Sequence, residues 1–321
     1  MKRYDEALAD FNRAIELNPD DGWATANRGV TYRLMKRYDE ALADFNRAIE
    51  LNPDDGWAIP NRGVTYREME RYGEALADLN RAIELNPASA WAITNRGMTY
   101  REMERYDEAL ADLNRVIELD PASAWAITNR GMTYREMERY DEALADFNRV
   151  IELDPADGWA ITNRGMTYRF MECYDEALAD FNRAIQLKPE AAWAFAGRGE
   201  TLLTTERYEE ALADFNRTIQ LDPEAVWVLT HTGEIHSLMG RYNKALADFN
   251  RVIELNPDDA SAITNRGLTY GKMERYDEAL ADFNRAIELN PDDASAITNR
   301  GLTYGKMERY DEALADFNRA I

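Results

Sequence analysis

Between residues 124 and 157 the apolar side chains fall into two stripes separated by a polar turn. Ile127, Gly131, Tyr134 and Met137 follow one another at spacings of four, three and three, which puts them on one face of a helix from about Trp125 to Met137. Tyr140, Ala143, Leu144, Phe147, Val150 and Ile151 form a second stripe, on a helix predicted from about Asp141 to Leu153. Asp141 and Glu142 stand in its first turn, where the helix dipole favours negative charge, and Pro155 ends it by disfavouring helical backbone in the residue before it. Gly131 permits close approach of the two helices at some cost in helix propensity. Neither helix can bury its stripe alone, so the unit predicts neighbours stacked on both sides.

The neighbours are copies. Tyr4, Tyr38, Tyr72, Tyr106, Tyr140, Tyr174, Tyr208, Tyr242, Tyr276 and Tyr310 stand 34 residues apart, and nine prolines from Pro19 to Pro291 keep the same interval. A 34-residue period carrying Gly-x-x-Tyr, Ala-x-x-x-Phe and a closing Pro resembles the tetratricopeptide repeat, over the whole chain. That resemblance implies an all-α, right-handed superhelical solenoid of antiparallel helix pairs. The expected organisation is a single solenoid over 1–321, with a partial repeat 1–21, repeats starting at 22, 56, 90, 124, 158, 192, 226 and 260, and a last, incomplete repeat 294–321. No polar capping helix stands at either end, which predicts either continuation of the chain or end-to-end self-association.

Two departures from the family pattern stand out. The tryptophan comes two residues late, at Trp125, and Arg130 replaces a leucine near the apolar face. A guanidinium there needs a carboxylate, and Asp112 or Asp146 on a second helix is the expected partner.

On the other side of the first helix lie Trp125, Asn129, Met132 and Glu136, a surface that in tetratricopeptide proteins lines the concave groove. Stacking turns each position into a row: every tryptophan of the chain from Trp23 to Trp227, and the amides Asn27, Asn61, Asn95, Asn129, Asn163, Asn265 and Asn299, interrupted at Gly197 and His231. Arg33, Arg67, Arg101, Arg135 and Arg169 flank them. An amide donates and accepts, so a row of them can pair with an extended backbone regardless of sequence. This resembles the asparagine ladder in the repeat domain of O-GlcNAc transferase. The expected peptide-binding residues are therefore the seven asparagines with Trp91, Trp125, Trp159, Arg101 and Arg135. A structural role also fits: the amides could bond neighbouring backbone, and the tryptophans could staple helix entries. Trp, Thr and Met at Trp125, Thr128 and Met132 replace the cations of the two-carboxylate clamp, so that specificity is not implied.

Charge narrows the partner class. The 38 basic and 60 acidic residues give a net charge of −22, which disfavours nucleic acid and anionic membranes. No run approaches a membrane span and no leader is recognised. One cysteine, Cys173, fits a reducing, cytoplasmic setting. His231 and His236 are five apart and point in different directions on a helix, so they do not form a metal pair. No phosphate loop, dinucleotide fingerprint or serine elbow is present, and neither a cofactor nor catalysis is expected. The leading expectation is a scaffold binding a protein or peptide; the alternative is a structural solenoid that assembles end to end.

Overall fold

The computed structural model describes residues 2–320, and among these it contains nineteen helices and no strand. The first helices of the repeats, the A helices, are α2 (Gly22–Leu34), α4 (Ala58–Glu68), α6 (Ala90–Glu102), α8 (Ala124–Glu136), α10 (Gly158–Phe170), α12 (Ala192–Thr204), α14 (Trp227–Leu238), α16 (Ala260–Lys272) and α18 (Ala294–Lys306). The B helices are α1 (Lys2–Leu17), α3 (Tyr38–Leu51), α5 (Tyr72–Leu85), α7 (Tyr106–Leu119), α9 (Tyr140–Leu153), α11 (Tyr174–Leu187), α13 (Tyr208–Leu221), α15 (Tyr242–Leu255), α17 (Tyr276–Leu289) and α19 (Tyr310–Ala320). The predicted helices of residues 124–157 thus stand within one residue of the observed bounds. The chain gathers into two compact units, one running to Thr167 and the other beginning at Tyr168.

In the first unit α2, α4, α6 and α8 each pack between the B helices before and after them, and in the second α12, α14, α16 and α18 do the same. A helices of adjacent repeats also touch, α2 on α4, α4 on α6 and α6 on α8, then α14 on α16 and α16 on α18. Each unit therefore presents a face built of A helices. Phe147, Ala143, Val150, Ala126 and Ile127 are fully buried between the layers, as the two stripes require.

The turn between A and B helices is built from a left-handed residue. Glu138 has φ 59° and seven other non-glycine residues at this place lie close to it, while Gly240 fills the same role at φ 71°. The geometry satisfies the helix end: the Glu138 amide donates to the Arg135 carbonyl at 3.0 Å and the Arg139 amide to the Tyr134 carbonyl at 2.8 Å.

The arginine in the apolar face has its partner within its own repeat. Arg130 Nε and Nη2 donate to the two oxygens of Asp146 at 2.8 and 2.6 Å, and Nη1 donates to Asn114 Oδ1 on the preceding B helix at 2.7 Å. Asp112 belongs to Arg96 in the same way. Each such guanidinium ties one A helix to both flanking B helices, and the fork–fork geometry makes the cost of its partial burial bearable. The hydrogen bond to Asp146 raises the Arg130 pKa against the lowering effect of burial. Thr232 breaks the pattern, and there His236 Nδ1 lies 2.8 Å from the orphaned carboxylate of Asp248. The two histidines thus serve separate contacts, with His231 3.3 Å from Glu234 and stacked on Phe215 at 5.6 Å between ring centroids.

Candidate peptide-binding face

The A-helix face is a lattice repeating from helix to helix. Asn95, Asn129 and Asn163 each donate Nδ2 to the carbonyl of the tryptophan one turn earlier, at 2.8 to 2.9 Å. Their Oδ1 atoms accept from the arginine of the preceding repeat: Arg67 to Asn95 at 3.0 Å, Arg101 to Asn129 at 3.1 Å and Arg135 to Asn163 at 3.0 Å. These amides are bonded at both ends and no more than 4% exposed. Asn95, Asn129 and Asn163 thus have both amide groups engaged within the chain, bonds of the kind that the structural reading expects. Asn27 and Asn61 likewise donate to Trp23 and Trp57 at 2.8 Å.

The arginines are also engaged. Arg33 reaches Glu68 of the next A helix at 2.7 Å, and Arg67 and Arg101 approach Glu102 and Glu136 at 3.6 and 3.5 Å. Arg101 is buried, so it does not offer a free fork to an incoming carboxylate. Burial raises the carboxyl pKa of Glu102 and Glu136, against the opposite pull of the neighbouring arginines. Each glutamate follows an arginine in sequence but meets the arginine one repeat earlier, a partnership the 34-residue period conceals.

Six of the seven tryptophans are exposed. Exposure runs from 37% at Trp91 to 69% at Trp23, with Trp57, Trp125, Trp159 and Trp227 between. Trp57 and Trp91 stack with centroids 6.4 Å apart. The asparagines bond the backbone carbonyls of these same tryptophans, so the amide and aromatic rows run side by side.

In the second unit the face changes. Gly271 stands where an arginine would address Asn299, and Asn299 donates to the Ser295 carbonyl at 2.9 Å while no arginine of α16 faces its Oδ1. A cavity of about 190 Å³ opens there, lined by Leu268, Gly271, Lys272, Tyr276, Phe283, Asn299, Leu302, Thr303 and Lys306. Asn265 donates instead to Glu234 at 2.9 Å, beside a cavity of about 250 Å³ that Lys272 also lines. The change from Arg-Glu to Gly271-Lys272 and Gly305-Lys306 was the signal in sequence; the openings themselves were not legible.

No helix among the described residues is long and apolar enough to cross a membrane. Among the same residues no three His, Cys, Asp or Glu side chains group so as to hold a metal ion.

Family models described as tetratricopeptide repeat match residues 23–55, 260–293 and 294–321, and another matches 57–122, 89–156 and 158–224. Two further models, one described as TPR repeat and one as tetratricopeptide repeat, match 233–274 and 1–21. Among solved structures, a tetratricopeptide repeat protein from Parabacteroides merdae ATCC 43184 is similar over 76% of this chain and 97% of its own, at 21% identity and a TM-score of 0.57. A chain of the APC/C hetero-tetramer Cut9-Hcn1 matches over 98% of this chain and 77% of its own, at 15% identity and a TM-score of 0.62. YrrB, described as a TPR protein with an unusual peptide-binding site, matches over 57% of this chain and 95% of its own, at 29% identity and a TM-score of 0.41. Among curated proteins none matches. At these identities the first two structures speak to the fold alone.

Proposed function

The chain belongs to the tetratricopeptide repeat family, and on that premise we propose that the exposed A-helix face holds an extended polypeptide segment. The observation that carries this reading is the row of five tryptophans in the first unit, Trp23, Trp57, Trp91, Trp125 and Trp159, with at least 37% of their surface in water, all at the same place in their repeats. An aromatic ring buries roughly 150–250 Å² when covered, and rings of this kind dominate binding energy where partners meet. Their spacing by one repeat suits a linear ligand presenting apolar or cationic side chains at intervals. Asn95, Asn129, Asn163, Arg101 and Arg135 act here as the frame that fixes Trp91, Trp125 and Trp159, rather than as contacts. In the second unit Lys272, Lys306 and the Oδ1 of Asn299 supply polar anchors beside Leu268 and Leu302, fit for a backbone amide or a carboxylate. The role is binding, with no reaction assigned.

The test uses the full chain on an array of extended peptides. Changing Trp91, Trp125 and Trp159 together to Ala should weaken capture tenfold or more, given at least ~1.4 kcal/mol from a hot-spot ring, while helix content by circular dichroism is unchanged. Capture that survives the triple change sinks the proposal.

A further inference from the structure

The repeat 192–225 lacks one ring that its sisters share. In six repeats the tyrosine of the A helix lies under the guanidinium that follows it: Arg139 stands 4.5 Å from the Tyr134 ring centroid, and Arg37, Arg71, Arg105, Arg275 and Arg309 stand 4.4 to 4.6 Å from theirs. Arg130 approaches the same Tyr134 ring from another side at 5.8 Å. In repeat 226–259 this tyrosine is His236, still a ring; in repeat 192–225 it is Leu202, while both cations remain, as Arg198 and Arg207.

The missing ring leaves its space empty. A cavity of about 340 Å³ opens between α11, α12 and α13, lined by Leu178, Asn182, Arg198, Leu202, Arg207, Glu210, Ala213 and Asp214. In repeat 124–157 six of these positions are Arg130, Tyr134, Arg139, Glu142, Ala145 and Asp146, the surroundings of the Tyr134 ring. Both cations keep carboxylate partners without the tyrosine. Arg198 is forked onto Asp214 at 2.7 Å and bonded to Asn182, and Arg207 is forked onto Glu210 at 2.8 and 2.7 Å. The slot has an apolar wall at Leu178, Leu202 and Ala213 and a polar one that includes Arg198, held on the buried Asp214, and Arg207, in an exposed pair with Glu210.

We propose that this cavity is a binding slot for an aromatic ring, taken face-on against the Arg207 guanidinium as the sister repeats hold their own tyrosines. A cavity of roughly 150 Å³ already accepts benzene, so size is no obstacle. Arg planes stack on aromatic faces, and the flanking carboxylates keep both cations in position. The ring could be a free phenol or a side chain on a partner chain; the chemistry recognised is the same. The slot draws on α11 and α13 as well as α12, and it does not depend on the tryptophan row.

The probe is 4-fluorophenol, followed by fluorine NMR line broadening with the full chain, alongside the blocked tripeptide Gly-Tyr-Gly by ligand-observed proton NMR. Native chain should bind 4-fluorophenol with Kd of order 1 mM, as expected for a ligand of this size. Leu202→Tyr, which restores the sister residue, should abolish the saturable component. Tyr134→Leu should create a second slot and double the bound fraction at subsaturating probe. If the tripeptide also binds and is lost in Leu202→Tyr, the slot takes a polypeptide side chain; if only the phenol binds, it takes a free aromatic. Absence of saturable binding in the native chain, or binding that Leu202→Tyr leaves intact, overturns the proposal.

Discussion

Replacing Gly131 by Ala should be more damaging than replacing Gly97 by Ala, although the two repeats concerned, 90–123 and 124–157, differ only at Leu113/Phe147 and Ser123/Asp157. A Cβ at Gly131 would lie 2.8 and 2.9 Å from Phe147 Cε1 and Cζ, well inside the roughly 3.5–4.0 Å of a carbon contact. Phe147 is fully buried and has nowhere to swing. At Gly97 the nearest atoms are the Ala109 carbonyl oxygen and Leu113 Cγ, both at 3.3 Å, a contact that small adjustments absorb. Overpacking costs about 1–3 kcal/mol, whereas Gly→Ala within a helix gains about 1 kcal/mol. Gly97→Ala should then be close to neutral or stabilising, and Gly131→Ala destabilising by up to about 2 kcal/mol. A long repeat array need not unfold in one step, so local stability is the quantity to read, by hydrogen exchange with mass spectrometry on α6 and α8. The substituted peptide carries its own mass, which separates the otherwise identical A-helix sequences. Adding Phe147→Leu should rescue Gly131→Ala, giving a coupling of about 1 kcal/mol or more in a double-mutant cycle. Equal costs at the two glycines, or no rescue, would refute the ring contact as the cause.

Arg130→Ala should destabilise its repeat by roughly 3 kcal/mol, because the Asp146 side chain, 6% exposed, loses both of its guanidinium bonds; Arg139→Ala, at an exposed ion pair with Glu142, should barely shift a urea melt. Glu138→Gly should stabilise by about 0.5–1 kcal/mol, since a side chain at φ 59° carries left-handed strain that exceeds the extra chain entropy of glycine; a lower urea midpoint would contradict this. The hydrogen bond to Glu234 raises the pKa of His231. Its stabilising contribution is then full below the ordinary imidazole value near 6.5 and fades as pH rises through the raised folded value. The melting temperature should accordingly fall between about pH 6 and pH 8 by an amount that His231→Gln removes; an unaltered pH slope in that variant would assign the dependence elsewhere.

The helices, their bounds and the stacked pairs were legible in the chain because spacings of three and four and a closing proline act within a few residues of each other. Ile127, Gly131 and Phe147 declare their faces locally, and copying the unit at 34-residue intervals declares the stack. Partnership was another matter. A repeat offers every side chain several identical candidates, so Arg130 could be assigned to Asp112 or Asp146, and Arg67 to Glu68 or Glu102. Only the packing of one helix layer on the next chose Asp146, sixteen residues on, and Glu102, thirty-five residues on. The asparagines show the consequence for the binding face. From sequence they fitted either a ligand backbone or neighbouring backbone, and the arginine that meets the Oδ1 of Asn95, Asn129 and Asn163 comes from the preceding repeat. Six of the seven tryptophans, large aromatics of a kind more often packed, stand exposed beside them. The slot beside Leu202 arises likewise: one substitution is visible in the sequence, but the space it leaves exists only where three helices meet.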